Sequence, residues 1–297
     1  MTAIESSTET VYVGIDGGGS KCKARVRGPG VEGTGIAGPA NPFQDLHQAQ
    51  ASIVEATCLA LRAAGLGESN LPRLVAGVGL AGVNVPRFFN LMNDWQHPFA
   101  EMHLTTDIHI ACLSAHGGAD GAVIVAGTGS VGYSCINGVS TGYGGHGFPL
   151  GDKGSGAWMG LEAVRAALLN LDSLGPATSL LPAIEAQLGA RGVEVVDVLS
   201  RAGSCDFGAL APLVLEAAEQ GDAVATAIVR DGASYLDDMA ACMLSDGARS
   251  VCLLGGLAGR IRRWMRSDLM QYLAEPMQEA DHGALMFAQR CHAASTH

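Results

Sequence analysis

Short apolar runs alternate along this chain with longer segments in which apolar positions recur every three or four residues. The short runs predict strands, and they occupy residues 11–15, 74–80, 102–105, 122–126 and 250–254. The longer segments predict helices at residues 48–64, 157–169 and 283–291, with another helix beginning at Ile108. This alternation is typical of an α/β protein, and a chain of 297 residues is long enough for two such lobes.

A glycine-rich turn, Asp16-Gly17-Gly18-Gly19-Ser20-Lys21, follows the first strand. Residues 21–27 then alternate polar and apolar positions with period two, so we expect a second strand directly after the turn. Dinucleotide-binding and Walker-type loops both need a helix at this place, because the amides at its N-terminus hold the phosphate. The pattern therefore predicts a glycine hairpin.

A second glycine turn follows the strand at residues 122–126 and matches the string G-x-G-x-x-G through Gly127, Gly129 and Gly132. The string alone would indicate a dinucleotide site. The residues after it, 133–136, are rich in strand-forming types and stop at the turn signal Asn137-Gly138, so this turn is also predicted to be a hairpin.

Glycine hairpins present bare backbone amides that can surround a phosphate, and the hydroxyls of Ser20, Thr128 and Ser130 add donors. The alternative is that these glycines only make tight turns. Two hairpins of the same type, each with hydroxyl residues, favour phosphate binding.

Two aspartates follow predicted strands and each has two interpretations. Asp16 beside a phosphate would need an intervening cation such as Mg²⁺, or else it is an ordinary turn aspartate. Asp107, in Thr105-Thr106-Asp107, is placed where α/β sheets present catalytic carboxylates, although Thr106 or Asp107 can also cap the next helix. The two roles of Asp107 are compatible.

The overall charge narrows the range of partners. There are 18 basic and 29 acidic residues, for a formal net charge of −11, which argues against nucleic acid and anionic membranes as main partners. No apolar stretch reaches the length of a membrane-spanning helix, and residues 1–10 are polar and acidic, unlike a signal peptide. We therefore expect a cytoplasmic protein.

The eight cysteines and nine histidines show no metal-ligand spacing, so we expect reduced thiols and no zinc site. His292 and His297 are expected in a frayed C-terminal tail. A glycine-dense stretch at residues 142–156 is expected to be a binding loop.

In their order along the chain, these motifs resemble those of the sugar kinases of the actin, hexokinase and Hsp70 superfamily, specifically the N-acetylglucosamine kinase and BadF/BadG/BcrA/BcrD ATPase family. Residues 16–21 resemble the first phosphate loop, 126–130 the second, 106–107 the base segment and 151–155 the connecting segment. Gly255-Gly256 resembles the turn that binds adenosine, although a plain strand-to-helix turn is an equal alternative.

The resemblance implies a site residue by residue. Asp107 would be the catalytic base, and Asp16 would organise Mg²⁺. The residues implied for ATP are Gly17, Gly18, Gly19, Ser20, Lys21, Gly127, Thr128, Gly129, Gly255 and Gly256. The residues implied for the sugar are Asn41, Asp107, Gly129, Ser130, Gly145, His146, Gly147 and Asp152.

The resemblance also implies two ribonuclease-H-like lobes of the actin-like ATPase fold with a cleft between them. Residues 11–113 with 281–297 would form the N-terminal lobe, and residues 114–280 the C-terminal lobe. The implied reaction transfers a phosphoryl group from ATP to the 6-hydroxyl of glucosamine or N-acetylglucosamine. The oligomeric state stays open, a homodimer included.

Two departures from the family pattern leave the sugar open. His146 stands where animal N-acetylglucosamine kinases have tryptophan, and Asn41 is followed by Pro42-Phe43. His146 is either a substrate contact or a packed loop residue. Other classes also stay open: an activator ATPase of 2-hydroxyacyl-CoA dehydratases, whose cluster cysteine before the second hairpin is missing here, a non-catalytic sugar-binding regulator, and an actin-like assembly protein.

Overall fold

The computed structural model describes residues 10–295. The chain divides into two compact units, the first ending at Gly121 and resuming at Pro276, the second running from Ala122 to Glu275. The predicted division at 113/114 falls inside a helix, Asp107–Ala115, and the one at 280/281 falls at the start of the last helix, Ala280–Ser295. The units are divided at 121/122 and 275/276, so each of these helices stays whole.

The strands, in chain order, are β1 (Val11–Gly17), β2 (Cys22–Gly28), β3 (Val31–Ala37), β4 (Leu74–Leu80), β5 (Glu101–Thr106), β6 (Gly121–Ala126), β7 (Ser130–Ile136), β8 (Val139–Gly144), β9 (Val251–Leu254) and β10 (Leu273–Ala274). The helices are α1 (Leu46–Ala63), α2 (Pro86–Asn93), α3 (Asp107–Ala115), α4 (Gly156–Leu171), α5 (Leu180–Leu188), α6 (Glu194–Leu199), α7 (Ser204–Gly208), α8 (Ala211–Glu219), α9 (Ala223–Ser245), α10 (Ala258–Ile261) and α11 (Ala280–Ser295).

The sheet of the first unit has the order β3-β2-β1-β4-β5. β2 is antiparallel to β1 and β3, whereas β1, β4 and β5 are parallel. Val13 and Ile15 of β1 are fully buried in one core with Ile53 and Leu61 of α1. Because β1, β4 and β5 run in the same direction, the residues that follow them collect at one edge of the sheet.

Helix α11 packs against the sheet of the first unit through two glycines. Gly14 and Gly77 are paired across β1 and β4. A Cβ atom on Gly14 would lie 2.2 Å from the carbonyl oxygen of Asp281, and one on Gly77 would lie 2.1 Å from that of Ala284. The helix therefore approaches the strands so closely that only glycine fits beneath it.

The sheet of the second unit has the order β10-β9-β6-β7-β8. Read from β8, it has the same order as the first sheet, with β6 in the place of β1 and β9 in the place of β4. Its core includes Ile124, Met159, Leu236 and Val251, all fully buried. Two sheets of the same mixed order with packed helices confirm the predicted α/β class with two ribonuclease-H-like units.

Both predicted hairpins are confirmed, since β2 follows the first glycine turn and β7 follows the second. At the tip of the β7–β8 hairpin, Asn137 and Gly138 both have positive φ, 51° and 76°, as a two-residue turn requires.

The expectation that His292 lies in a frayed tail was wrong: it lies in α11 and its Nδ1 is 3.0 Å from a Glu101 carboxylate oxygen. His297 and the predicted polar leader at residues 1–9 lie outside the described residues.

No helix among residues 10–295 is both long enough and apolar enough to cross a membrane.

Candidate active site

The glycine hairpin of the first unit is held by its own backbone. The Gly18 N–H donates to the Lys21 carbonyl at 3.0 Å, and the Gly18 carbonyl accepts from the Ala40 N–H at 2.9 Å. A Cβ on Gly17 would lie 2.4 Å from Leu80 Cδ2, so this position has no room for a side chain. Gly19, Ser20 and Lys21 are exposed. The turn therefore presents its tip, with one hydroxyl and one ammonium group, to solvent.

Asp16 lies at the carboxyl end of β1, opposite Lys23 on β2 and Gly79 on β4. Burial, together with the negative charges of Asp107 and Asp281, raises the pKa of Asp16 to about 6, although Lys21 and Lys23 act in the opposite direction. An ionised Asp16 is thus held in unfavourable surroundings. A bound cation would relieve this unfavourable charge.

Asp107 lies at the same edge of the sheet, because Gly79 pairs with both Asp16 and Thr105. Thr106 is the N-cap of α3 and accepts a hydrogen bond from the His109 N–H at 3.3 Å. Asp107 is the first residue of the helix, and its Oδ1 accepts from the Ile108 N–H at 2.8 Å. Capping is therefore carried out by Thr106.

The carboxylate of Asp107 is half-buried, and burial raises its pKa above the ordinary aspartate value. The hydrogen bond from the Ile108 N–H uses Oδ1, so Oδ2 is the oxygen better suited to accept a substrate proton. A carboxylate with a raised pKa at the end of a strand has the properties of a general base.

Asn41 lies beside the hairpin in the same unit, because its neighbour Ala40 bonds to Gly18. Its Oδ1 accepts from the Phe43 N–H at 3.0 Å. Gly82, with φ +84°, faces this side chain so closely that a Cβ there would lie 2.4 Å from Asn41 Oδ1. The Oδ1 atom thus has a local partner, and the Nδ2 group is the part of the amide suited to a ligand.

Sequence reasoning missed two polar residues next to this hairpin. Gln44 places its side-chain Nε2 3.2 Å from the position that a Cβ on Gly19 would occupy. Asp281 of α11 is fully buried; its Oδ2 accepts from Arg25 Nε at 2.6 Å, and its Oδ1 lies 3.4 Å from Lys23 Nζ. The available signal was an acidic residue just before the last predicted helix, residues 283–291.

The hairpin of the second unit is fixed to the start of α4. The Gly127 N–H donates to the Gly129 carbonyl at 2.9 Å. The Gly127 and Thr128 carbonyls accept from the N–H groups of Gly156 at 2.8 Å and Ala157 at 3.1 Å. The two carbonyl groups therefore point into the protein, while the Thr128 side chain is exposed.

The Gly255-Gly256 turn lies against this hairpin. Gly255 has φ +93°, and a Cβ on it would lie 2.4 Å from the Ala126 carbonyl oxygen. The position of a Cβ on Gly127 is 4.0 Å from the Gly256 nitrogen. The structure thus brings these three glycines together at the ends of β6 and β9.

The connecting segment is held to the same hairpin by Ser130 and Asp152. The Ser130 hydroxyl is buried and donates to the Lys153 carbonyl at 2.8 Å. Asp152 has a positive φ of 61°, and its Oδ1 accepts from the Gly147 N–H at 3.1 Å. A Cβ on Gly129 would lie 2.8 Å from Asp152 Oδ2. Ser130 has a structural role here, and Asp152 is the group with acceptor capacity to spare.

The loop between β8 and α4 contains the remaining predicted sugar residues. Gly145 has φ +68°, and a Cβ on it would lie 2.7 Å from Val131 Cγ2. His146 is exposed, which disfavours its interpretation as a packed loop residue. The Gly151 N–H donates to the Gly147 carbonyl at 2.6 Å, so the loop closes on itself beside Asp152.

Within the described part of the chain, no group of three or more histidine, cysteine or acidic side chains is arranged to hold a metal ion. Mg²⁺ prefers octahedral oxygen ligands and keeps several waters, so it needs only one or two carboxylates from the protein. The half-buried Asp16, with its raised pKa, fits this requirement.

Comparison with known proteins gives consistent results. The model of the BadF/BadG/BcrA/BcrD ATPase family matches residues 13–288. The glucosamine kinase GspK of Vibrio cholerae is 35% identical over 279 residues, which are 93% of this chain and 95% of that protein. An N-acetyl-D-glucosamine kinase of Dictyostelium discoideum is 30% identical over 253 residues, covering 78% of each chain.

A crystal structure from Chromobacterium violaceum, provisionally described as an N-acetylglucosamine kinase, has the same fold. It is 29% identical with a TM-score of 0.84, and the match covers 94% of this chain and 99% of that chain.

Proposed function

Since the chain belongs to the BadF/BadG/BcrA/BcrD ATPase family, we propose that it is an ATP-dependent amino-sugar kinase, a phosphotransferase with an alcohol group as acceptor. Its acceptor is the 6-hydroxyl of glucosamine or N-acetylglucosamine. The names of the relatives in Vibrio cholerae and Dictyostelium discoideum support this substrate class. The observation that carries the proposal is Asp107, a half-buried carboxylate with a raised pKa at the same sheet edge as Asp16.

In the proposed reaction, Asp107 Oδ2 accepts the proton of the sugar 6-hydroxyl while that oxygen attacks the γ-phosphorus of ATP. The new O6–P bond forms as the bond between the γ-phosphorus and the β–γ bridging oxygen breaks, and ADP leaves with that oxygen. Such transfers depend on positioning and on charge stabilisation. The backbone amides of the two hairpins and the Lys21 ammonium group supply donors for the phosphate oxygens.

Mg²⁺ bound with the nucleotide would neutralise charge on the phosphates, and Asp16 is the residue that would hold it. The pKa of about 6 supports this role, because the carboxylate is mostly ionised at neutral pH and yet Lys21 and Lys23 do not offset its burial and its acidic neighbours. On the second unit, the Gly255-Gly256 turn would contact the adenosine.

For the sugar, Asn41 Nδ2 on the first unit is a donor, and Asp152 on the second unit is an acceptor in the same loop region as His146. Asp152 accepts from Gly147 through Oδ1 and keeps Oδ2 for a hydroxyl, an amide N–H or an ammonium group of the sugar. This chemistry suits both glucosamine and N-acetylglucosamine.

The test is an assay of ADP release with glucosamine, N-acetylglucosamine, glucose and N-acetylmannosamine as acceptors. We expect turnover with at least one of the two glucosamine sugars and loss of about 10²–10⁴-fold in Asp107→Asn, since a general base contributes on that order. ATP binding should persist in this variant, because the hairpins are unchanged.

A matched control is Asp94→Asn, which removes one exposed carboxylate of the same unit. It should keep normal turnover. Wild-type turnover in Asp107→Asn would refute the role of Asp107, and the absence of phosphorylation of every sugar in the panel would refute the proposed function.

A further inference from the structure

A cavity of about 740 Å³ lies within the second unit, beside the second glycine hairpin. Thr128, Gly129, Gly147 and Asp152 are among the residues that line it. Its volume is within the range of roughly 300–1,000 Å³ that is usual for pockets that enclose a drug-sized ligand. It is therefore larger than a bare hexose ring requires.

The position of the cavity links it to the sugar. Gly129, Gly147 and Asp152, which line the cavity, are three of the residues proposed to contact the acceptor. Thr128 and Gly129, also on the lining, are proposed for the phosphates of ATP as well. Gly255 and Gly256, proposed for adenosine, are not among the residues that line it. A sugar bound at Asp152 would therefore have this space next to it.

Much of the cavity wall is apolar, although Thr128, Ser204 and Arg165 also line it. Phe148 and Phe207 contact each other with ring centroids 5.3 Å apart, and Leu161 and Ala202 extend the same surface. Arg165 is the one charged side chain on the lining besides Asp152, and its Nη1 bonds to Glu162 at 2.6 Å. The aromatic pair and its aliphatic neighbours form an apolar surface on which an uncharged alkyl group can pack.

We propose that this cavity is a subsite for the acyl chain of N-acylated amino sugars, and that the enzyme accepts chains longer than acetyl. The proposal depends on the proposed kinase function and extends it to a substrate class. Asp152 binds the polar part of the sugar, and the aromatic wall covers the chain. Each methylene that enters the cavity leaves water, and such burial corresponds to about a fourfold gain in binding.

The experiment measures kcat/KM for glucosamine and for its N-acetyl, N-propionyl and N-butyryl derivatives. We expect kcat/KM to rise by up to about fourfold for each methylene from acetyl to butyryl. A flat or falling series would overturn the subsite. Phosphorylation of glucosamine or N-acetylglucosamine in that same experiment would leave the proposed kinase function standing, so the two failures are distinguishable.

Ala202 is the position at which the cavity can be filled, because its small side chain lies on the wall. Ala202→Leu should reduce the gain in kcat/KM with acyl chain length, and Ala202→Phe should reduce it further. The matched control is Ala177→Phe, an exposed position of the same unit away from the cavity, which should keep the wild-type series. A full chain-length gain in Ala202→Phe would overturn the proposal.

A second readout separates the sugar from the nucleotide. We expect KM for ATP to stay within about twofold of wild type in both Ala202 variants, which also reports that they are folded. A large rise in KM for ATP together with an unchanged chain-length series would assign the cavity to the nucleotide and overturn the proposal.

Discussion

Replacement of Asp16 by asparagine should stabilise the folded protein at neutral pH, although it removes a residue of the proposed site. Burial and the charges of Asp107 and Asp281 raise the pKa of Asp16 from 3.8 to about 6. This difference of about 2 pH units corresponds to about 3 kcal/mol, at about 1.4 kcal/mol per unit. The ionised carboxylate therefore costs the folded state up to about 3 kcal/mol.

The sign of the pH dependence follows from the direction of this shift. The folded state binds the Asp16 proton more tightly than the unfolded chain does, so this group lowers the free energy of unfolding as the pH rises from about 4 to about 6. Below that window the carboxyl is protonated in both states. Asp16→Asn should therefore match the wild type near pH 4 and exceed it by up to about 3 kcal/mol near pH 8.

The assay is thermal or urea unfolding at these two pH values, in chelator and without nucleotide. Asp94→Asn removes an exposed carboxylate from the same unit and should show no such difference between the two pH values. An Asp16→Asn variant that gains no stability near pH 8 over its value near pH 4 would refute the reasoning. Addition of Mg²⁺ and ATP should then stabilise the wild type more than the variant, because only the wild type has the carboxylate for the cation.

Three further predictions concern other parts of the two units. In the pH profile of kcat/KM, the acidic limb should have an apparent pKa above the ordinary aspartate value, because burial raises the pKa of Asp107 and the base must be ionised. An apparent pKa at the ordinary value would contradict this. Gly283→Ala should lower stability by at least about 2 kcal/mol in urea unfolding, since its Cβ would lie 1.9 Å from the Ile110 carbonyl oxygen. Ser130→Ala should cost about 1 kcal/mol in the same assay by removing the hydrogen bond to the Lys153 carbonyl, whereas an unchanged midpoint would show that this bond contributes nothing.

Much of the fold could be predicted because the central strands are apolar runs, which are stable only when they are buried inside a sheet. β4 coincides with the predicted strand at residues 74–80, and every residue in it is buried. β3 was missed, because its alternation is interrupted by Gly33 and Gly35. Those glycines are required by α1: a Cβ on either would lie 2.3 Å from a carbonyl oxygen of that helix. A sequence that packs a helix this closely loses the β-forming residues that reveal a strand.

The candidate site, like the fold, has parts that could be predicted from the sequence and parts that could not. Motifs within a few residues of one another, such as Thr106-Asp107, could be predicted because local spacing fixes their geometry. The positions of Gln44 and Asp281 near the first hairpin could not, because they depend on contacts between segments that are distant in sequence. The structural role of the Ser130 hydroxyl was hidden for the same reason, since its partner is 23 residues away.

The last helix of the chain affects the charge of the first strand through a sequence of physical steps. Gly14 and Gly77 remove side chains beneath α11, which lets the backbone of this helix contact β1 and β4. That contact places Asp281 inside the protein, where it pairs with Lys23 and Arg25 of β2 and adds to the pKa shift of Asp16. Substitution of either glycine should therefore displace Asp281 and lower the pKa of Asp16, as well as reduce packing. The glycines of β1 and β4 thus act on the chemistry of Asp16 although they are buried beneath a helix.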